Sequence, residues 1–216
     1  GFFAGHGDRL LLAGMLTPED FGIFTVAALL LGALYELGNR IISNVIYPAL
    51  SEIHRTDPTA LADGFHKFRF VFDAGIAAVA GIFLVIGPLV VDLLYDDRYL
   101  QAGHVLQVLV IVLMFQWTST AMYMFMIVGK PWVMTAQICI QVVAVLLFVP
   151  YLAQTYGLMG AAWALVLGKA VTVPYIYVLM HKAGWLRLRN ELRPLLALAA
   201  GALLGMLLVW LFNLLR

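Results

Sequence analysis

A run of apolar residues with one full charge near its middle occupies residues 156–180, YGLMGAAWALVLGKAVTVPYIYVLM. A helix needs about 20 apolar residues to cross a hydrocarbon layer about 30 Å thick, and this run is long enough. Counting about 1.5 Å per residue from Leu158 puts Lys169 roughly 16 Å deep, close to the midplane of a bilayer. The run therefore predicts a transmembrane helix with a cation at its centre.

Lys169 limits how this helix can be placed. A central lysine costs about 2.5–3.5 kcal/mol to insert, so its ammonium is expected to face protein, water or an anionic ligand and not lipid. Two interpretations remain open: the ammonium faces an internal cavity, or it forms a structural salt bridge. Gly160, Ala164 and Gly168 recur every fourth residue and allow a second helix to approach closely. Pro174 lacks a backbone donor and predicts a kink just past the charge.

The rest of the chain is of the same kind. Hydrophobic residues make up 63% of it, charged residues 12%, and the mean hydropathy is +0.96. These values exclude a soluble domain and predict an all-α, polytopic transmembrane helical bundle. The first apolar segment is too short to span a membrane and does not begin with Met, so we expect the chain to start inside a helix. The apolar segments are residues 1–16, 21–50, 70–91, 105–128, 132–151, 158–180 and 195–215.

The loops predict both a hairpin and an orientation. Thr17-Pro18-Glu19-Asp20 is a typical helix start, with a capping hydroxyl, proline in the first turn and acidic residues where the helix dipole favours them. The first two segments should therefore form a tight helical hairpin. Alternate loops carry most of the positive charge, and the positive-inside bias places that side in the cytoplasm, with residues 51–69 as its longest connection. The basic residues on that side are Arg55, Lys67, Arg69, Lys130, Lys182, Arg187, Arg189 and Arg193.

Arg9, Arg40 and Lys169 are the basic residues within the apolar segments. Arg40 has Glu36 one turn before it and can form an ion pair with it. It lies roughly 27 Å from Phe21, so it either reaches the inner interface with its long side chain or lines a cavity. Arg9 lies about 10 Å below the outer turn and is open to the same two interpretations.

Other polar residues in the segments are candidates for a lumen or for ion coupling. Gln137 and Gln141 are one turn apart and share a helix face, so they could line a cavity or make interhelical hydrogen bonds. Glu36 and Asp73 are candidates for coupling to a proton or sodium gradient. Asp73 is also explained by the helix dipole if it lies in the first turn of its helix. The single cysteine, Cys139, is expected to be a small core residue.

The residues that enzyme chemistry requires do not form a convincing pattern. The five histidines are scattered without metal-ligand spacing, and Asp96-Asp97 lies in a turn beside Arg98. We find no glycine-rich nucleotide loop in the sequence, and the net charge of +1 comes without the basic, aromatic-rich run of a nucleic-acid binder. We therefore expect no enzyme, metal site, cofactor or nucleic-acid partner. A helical bundle with internal cations suits the passage of an anionic substrate.

Segments in a fixed order carry a family resemblance. They are DRLLLAGMLTPEDFGIFTVA at 8–27, VIYPALSEI at 45–53, PLVVDLLYDDRYLQAGHVLQVL at 88–109 and YGLMGAAWA at 156–164. Together they resemble the C-terminal half of polysaccharide biosynthesis flippases, the oligosaccharide exporters of the superfamily that includes multidrug and toxin extruders. The resemblance implies one lobe of a two-lobe exporter, with residues 1–180 as the lobe, 181–194 as a cytoplasmic basic loop and 195–216 as an additional transmembrane helix.

The resemblance also implies a function. Such proteins move polyprenyl-pyrophosphate-linked oligosaccharides across the bacterial inner membrane by alternating access. On this basis Lys169, Arg9 and, less directly, Arg40 would hold the pyrophosphate or acidic sugars. The expected partners are the lipid-linked oligosaccharide, the lipid bilayer, the N-terminal lobe of the same protein, and polysaccharide polymerase and glycosyltransferases.

Alternatives to a flippase remain. A drug/cation antiporter of the same superfamily would prefer acidic residues inside the membrane, whereas the buried charges here are mostly basic. A membrane glycosyltransferase or polymerase would need a large extramembrane loop with paired functional groups. A non-catalytic membrane assembly subunit needs neither feature. The basic buried charges and the family resemblance favour the flippase over these alternatives.

Overall fold

A computed structural model describes residues 11–187 and 193–215 of the chain. Helices fill almost all of this part, which contains no strand, and five helical stretches in it are long and apolar enough to cross a membrane. The chain is therefore an all-α, multi-pass membrane protein, as predicted. The helices are α1 Pro18–Ile41, α2 Tyr47–Thr56, α3 Leu61–Leu94, α4 Leu100–Val110, α5 Trp117–Ile127, α6 Trp132–Ala170, α7 Thr172–Lys182 and α8 Arg193–Leu215.

The start of α1 follows the sequence signal. The Thr17 hydroxyl oxygen accepts a hydrogen bond from the backbone N–H of Asp20 at 3.2 Å, and Pro18 occupies the first turn. Residues 11–13 are helical and a turn follows them, so the chain reverses direction just before Thr17. The helix start is confirmed, and the described part of the first segment agrees with a hairpin.

The connection after α1 is much shorter than predicted. A π-helical turn, Ile42–Ile46, joins α1 directly to α2, and a 3-10 turn, Pro58–Ala60, leads into α3. The predicted cytoplasmic loop at residues 51–69 is therefore wrong, because most of those residues are helical. Hydropathy shows which part of a helix lies in the apolar layer. It does not show how far the helix extends beyond that layer.

The position of Asp73 changes for the same reason. Because α3 begins at Leu61, Asp73 lies about three turns inside the helix and not in its first turn. Arg69, assigned above to a basic loop, also lies inside α3 and has a side chain only 3% exposed. The predictions of Asp73 in the first turn of its helix and of Arg69 in a loop are therefore wrong.

Two groups of buried side chains define the ends of the bundle. One group includes Phe24, Val91 and Leu158 and lies toward the Thr17 turn. The other includes Leu50, Phe65 and Met180 and lies toward the connection from α2 to α3. We call the first the outer end and the second the inner end, following the predicted orientation. Which side of the membrane each end faces remains a prediction.

The segments that border the basic loops meet at the inner end. The Arg187 guanidinium forms an ion pair with Asp63 on α3. The rings of Phe125 and Trp185 lie 5.2 Å apart, and the Tyr175 hydroxyl donates to the Val133 carbonyl oxygen at 3.4 Å. The connections after α2, α5 and α7 therefore share one end of the bundle.

Helix α6 contains a sharp reversal at Gly157, where φ is 57° and ψ is −138°. An unbroken helix of 39 residues would be about 58 Å long, well beyond a hydrocarbon layer. The reversal divides α6 into residues 132–156 and 158–170, which lie against each other. A Cβ at Gly160 would overlap the Leu152 carbonyl oxygen, and one at Gly168 would come within 2.7 Å of Val145. The predicted close approach along this glycine stripe is confirmed.

The helix is interrupted again just after Lys169. Helix α6 ends at Ala170 and α7 begins at Thr172. Pro174 cannot donate a hydrogen bond to the Ala170 carbonyl oxygen four residues earlier, which weakens the helix at this point. The Thr172 hydroxyl instead donates to the Lys169 carbonyl oxygen at 2.7 Å. The predicted break past the charge is confirmed.

Helix α8, the predicted additional helix, packs on α3 with their backbones in direct contact. A Cβ at Gly81 would overlap the Leu198 carbonyl oxygen, and one at Gly201 would overlap the Ala78 carbonyl oxygen. Small residues allow this approach, which in lipid is favoured by van der Waals contact. The opposite face of α8 exposes large apolar side chains such as Leu196 and Trp210, as expected for a surface in contact with lipid.

Cys139 is also exposed. Its prediction as a core residue is wrong, because an apolar position in a transmembrane helix can face lipid as readily as protein.

Candidate functional site

A cavity of about 1010 Å³ lies between α1, the α4–α5 region and both halves of α6. Helix α1 lines it with a single stripe of residues three or four positions apart, which is the spacing of one helix face. The first half of α6 contributes a second stripe with the same spacing. The α1 stripe is Ala28, Leu31, Gly32, Tyr35, Glu36, Asn39 and Arg40, continued by Ser43 in the π-helical turn after α1, and the α6 stripe is Met134, Gln137, Ile138, Gln141, Val142, Val145 and Leu146.

Lys169 lies in the wall of this cavity and is only 8% exposed. Its Nζ donates to Gln141 Oε1 on the opposite half of α6, at 3.5 Å. Among the described residues, no carboxylate lies within ion-pair distance of its ammonium. The described residues form no salt bridge with Lys169. The residue borders a cavity, which agrees with the other interpretation.

Arg40 and Glu36 lie toward the inner part of the same cavity. Arg40 Nε donates to Glu36 Oε1 at 3.2 Å, which is the ion pair expected from their spacing. Both side chains are more than half exposed, at 69% and 58%, and both line the cavity. The pair leaves the outer edge of the guanidinium, with Nη1 and Nη2, without a hydrogen bond to any described residue.

Gln137 and Gln141 share the cavity-facing side of α6. Gln137 is 5% exposed and donates from Nε2 to the Thr118 hydroxyl at 3.5 Å, while Gln141 accepts from Lys169. The structure thus brings Glu36, Arg40, Gln137, Gln141 and Lys169 to one cavity. Their roles in binding remain predictions.

Asp73 does not join them. Its carboxylate accepts from Arg69 Nε at 2.8 Å, both side chains are buried, and the Arg69 guanidinium lies 4.3 Å from the centre of the Trp117 ring. This cluster of Arg69, Asp73 and Trp117 lies between α3 and α5, and Asp73 does not line the cavity. Arg9, the remaining candidate, falls outside the described residues.

Gln116 and Gly38 are not among the site residues that the sequence predicts. Gln116 is fully buried at the end of a 3-10 turn, Ile111–Phe115, and fits against Gly38 on α1, where a Cβ would overlap it. Its Nε2 donates to the Tyr35 carbonyl oxygen at 2.8 Å and to Asn39 Oδ1 at 3.4 Å. This contact fixes the carboxamide of Asn39 in the cavity wall. It joins residues far apart in the chain, so no local sequence pattern could reveal it.

Polarity is unevenly distributed along the cavity. Lys169 lies roughly 18 Å along its helix from Gly157, whereas Glu36 lies roughly 27 Å from Pro18 and Gln137 roughly 30 Å from Gly157. The polar lining therefore extends from Lys169 toward the inner end. Toward the outer end the lining is apolar: Leu11, Ala28, Leu31, Leu109, Val112, Val145, Leu146 and Leu165.

The chemistry of the site is that of binding. It presents one ammonium whose described partner is an amide, one ion pair and several neutral hydrogen-bonding groups. In the part of the chain that the structure describes, no group of histidine, cysteine and acidic residues could hold a metal ion. The arrangement can hold an anionic group at Lys169 and hydroxyl-bearing groups beside it.

Comparison with known proteins matches part of the chain to a family. Residues 1–104 match the family described as polysaccharide biosynthesis protein. The match contains the resembling segments at 8–27 and 45–53 and most of the one at 88–109, so the resemblance is confirmed over this part of the chain. No curated protein and no solved structure gives a significant match to the chain.

Proposed function

We propose that this multi-pass membrane protein, whose residues 1–104 match the polysaccharide biosynthesis protein family, forms one lobe of a flippase. Its substrate is an oligosaccharide linked to a polyprenyl pyrophosphate, moved across the bacterial inner membrane by alternating access. The substrate leaves chemically unchanged, so the protein is a transporter and not an enzyme. The family match supports the polysaccharide context, and the cavity supports transport.

The position of Lys169 carries the proposal. A buried ammonium near the midplane is unfavourable unless a polar or anionic partner compensates it, and here the described partner is one amide oxygen at 3.5 Å. A pyrophosphate offers several acceptor oxygens and negative charge to an ammonium with three donors. Its attraction to Lys169 is strengthened by the low dielectric of the surroundings.

The shape of the site supports a second lobe and further partners. The described helices wall the cavity with α1, α5 and α6, and an N-terminal lobe of the same protein would face them across it. The bilayer supplies the lipid-linked substrate. Glycosyltransferases would build that substrate, and a polysaccharide polymerase would use it after it crosses the membrane.

The test is a flipping assay with the full-length protein in lipid vesicles. The probe is a fluorescent polyprenyl pyrophosphate carrying a neutral oligosaccharide. Lys169→Gln should slow flipping about tenfold or more, as expected for loss of a charge-assisted contact, while Lys169→Arg should retain most of the rate. Lys182→Gln removes an exposed lysine at the inner end and serves as the matched control. A Lys169→Gln variant that flips at the wild-type rate would refute the proposal.

A drug/cation antiporter is the second candidate, because Glu36 places a carboxylate in the cavity. Arg40 neutralises that carboxylate at 3.2 Å, which favours the flippase. Efflux of a cationic dye from the same vesicles, abolished by Glu36→Gln, would support the antiporter. Flipping of the lipid-linked probe without dye efflux would exclude it.

A further inference from the structure

Uncharged polar and aromatic side chains occupy the cavity between Lys169 and Arg40. They come from α1, α5 and the first half of α6, and none of them explains the binding of an anion. They are Tyr35, Asn39, Ser119, Tyr123 and Gln137. Asn39 lies roughly 32 Å along its helix from Pro18, and Gln137 roughly 30 Å from Gly157, so both are closer to the inner end than Lys169 is.

Several of these side chains have polar atoms that make no hydrogen bond to a described residue. Asn39 Oδ1 accepts from Gln116, and Gln137 Nε2 donates to Thr118. That leaves the Asn39 amide nitrogen, Gln137 Oε1 and the Ser119 hydroxyl without a hydrogen bond to any described residue. Polar groups in a protein wall are normally paired, so these are available to a ligand in the cavity.

The side chains are also held in place. A hydrogen bond from Gln116 orients the Asn39 carboxamide, and a hydrogen bond to the Thr118 hydroxyl orients that of Gln137. The Tyr123 ring lies 5.2 Å from the Tyr47 ring, inclined by 52°, which supports it from the side. Fixed neutral donors and acceptors beside aromatic rings give orientation and specificity to a hydroxyl-rich ligand without attracting charge. The apolar outer part of the cavity offers no such groups.

We infer that this inner part of the cavity is a saccharide subsite, which binds the uncharged sugars next to the pyrophosphate. The sugars extend from Lys169 toward the inner end, and the groups that recognise them are Asn39, Ser119 and Gln137. This inference rests on the proposed function and adds to it the class of sugar and the direction in which the sugar lies.

Equilibrium binding to the full-length protein tests the subsite with two fluorescent probes. One is polyprenyl pyrophosphate carrying a neutral oligosaccharide, and the other is the same lipid without sugar. The test variant combines Gln137→Leu with Ser119→Ala, which removes hydrogen-bonding groups and keeps the side-chain volumes similar. Gln101→Leu, the same kind of change at an exposed position outside the cavity, is the control.

The double variant should bind the sugar-bearing probe about tenfold more weakly and the sugar-free probe as wild type does, because two hydrogen bonds of ordinary strength are lost. Ser119→Ala alone should give about a threefold effect in the same direction, and it keeps the test usable if the double variant folds poorly. Equal weakening of both probes, or no weakening of either, would overturn the subsite.

Lys169→Gln separates this inference from the proposed function. It should weaken the binding of both probes, since both carry the pyrophosphate. If it weakens neither, the proposed function fails. If it weakens both while the double variant behaves as wild type, only the saccharide subsite fails.

Discussion

Arg69 and Asp73 form a buried ion pair one turn apart on α3, with 2.8 Å between Nε and Oδ2 and side chains 3% and 8% exposed. Placing two charges in a low-dielectric interior has a high desolvation cost, which their attraction offsets when the geometry is good. The Trp117 ring beneath the guanidinium adds a cation–π contact at 4.3 Å. The pair fixes α3 against α5 in the inner half of the bundle.

Asp73→Ala should destabilise the protein by about 3–5 kcal/mol, because it removes the buried carboxylate that accepts from Arg69 Nε. The measurement is thermal unfolding of the purified protein in detergent. Replacing both residues with apolar ones, Arg69→Met with Asp73→Leu, should be less harmful than Asp73→Ala alone. Asp63→Ala is the control, because it breaks an exposed pair on the same helix and should cost less than about 1 kcal/mol. Similar losses for Asp73→Ala and Asp63→Ala would contradict a buried pair.

Glu36→Gln should leave the flipping rate at or above that of wild type. Glutamine keeps an oxygen that can accept from Arg40 Nε, and the cavity gains net positive charge for an anionic substrate. Glu36→Ala removes the acceptor as well and should lower the rate about threefold, since Arg40 is then no longer oriented. Glu52→Gln, at an exposed pair outside the cavity, is the matched control. Loss of flipping in Glu36→Gln would instead assign Glu36 to ion coupling.

Gly201→Ala should destabilise the packing of α8 on α3, because its methyl group would overlap the Ala78 carbonyl oxygen and push the helices apart. A loss of about 1–3 kcal/mol is expected, seen as a lower unfolding temperature in detergent. Gly75→Ala has no atom within 4 Å of the new methyl group and should be neutral or stabilising by up to about 1 kcal/mol. Equal unfolding temperatures for the two variants would show that the helix backbones are not in contact.

Hydrogen bonds from the Thr59 side chain and backbone N–H hold the pKa of Asp57 below its usual value of 3.8. The folded state therefore favours the ionised form. The ionised Asp57 carboxylate therefore stabilises the folded state. This contribution is fully present above pH 3.8 and is lost as the pH falls through the lower pKa that Asp57 has in the folded state. Asp57→Asn keeps an acceptor but cannot titrate, so its unfolding temperature should fall less steeply with acid below that pH. Parallel curves for the two proteins would contradict this.

The sequence was sufficient for the helix start at Thr17, the break after Lys169 and the shared helix face of Gln137 and Gln141. Each of these depends on a local signal: a cap, a proline, or the spacing of polar residues along one helix face. Helical spacing also orients the α1 stripe, because residues three and four apart share a face.

Features that depend on distant parts of the chain could not be read in this way. Arg69 and Asp73 were misplaced because α3 extends beyond its apolar segment, and hydropathy does not report that extension. Cys139 was misplaced because lipid and protein interior are equally apolar. The contact of Gln116 with Gly38 and that of α8 with α3 join residues remote in sequence, so only the tertiary structure reveals them.

The reversal at Gly157 joins the first half of α6 to the second half and α7 through a single residue, which leaves no spare chain between them. Because Gly160 and Gly168 on one half pack against Leu152 and Val145 on the other, we expect the two halves to move together as one arm in the proposed transport cycle. Lys169 on one half and Gln141 on the other would keep the same separation while the cavity changes the side to which it opens. An anion held there would travel with an unchanged set of contacts, and the gating would have to occur on the helices around that arm.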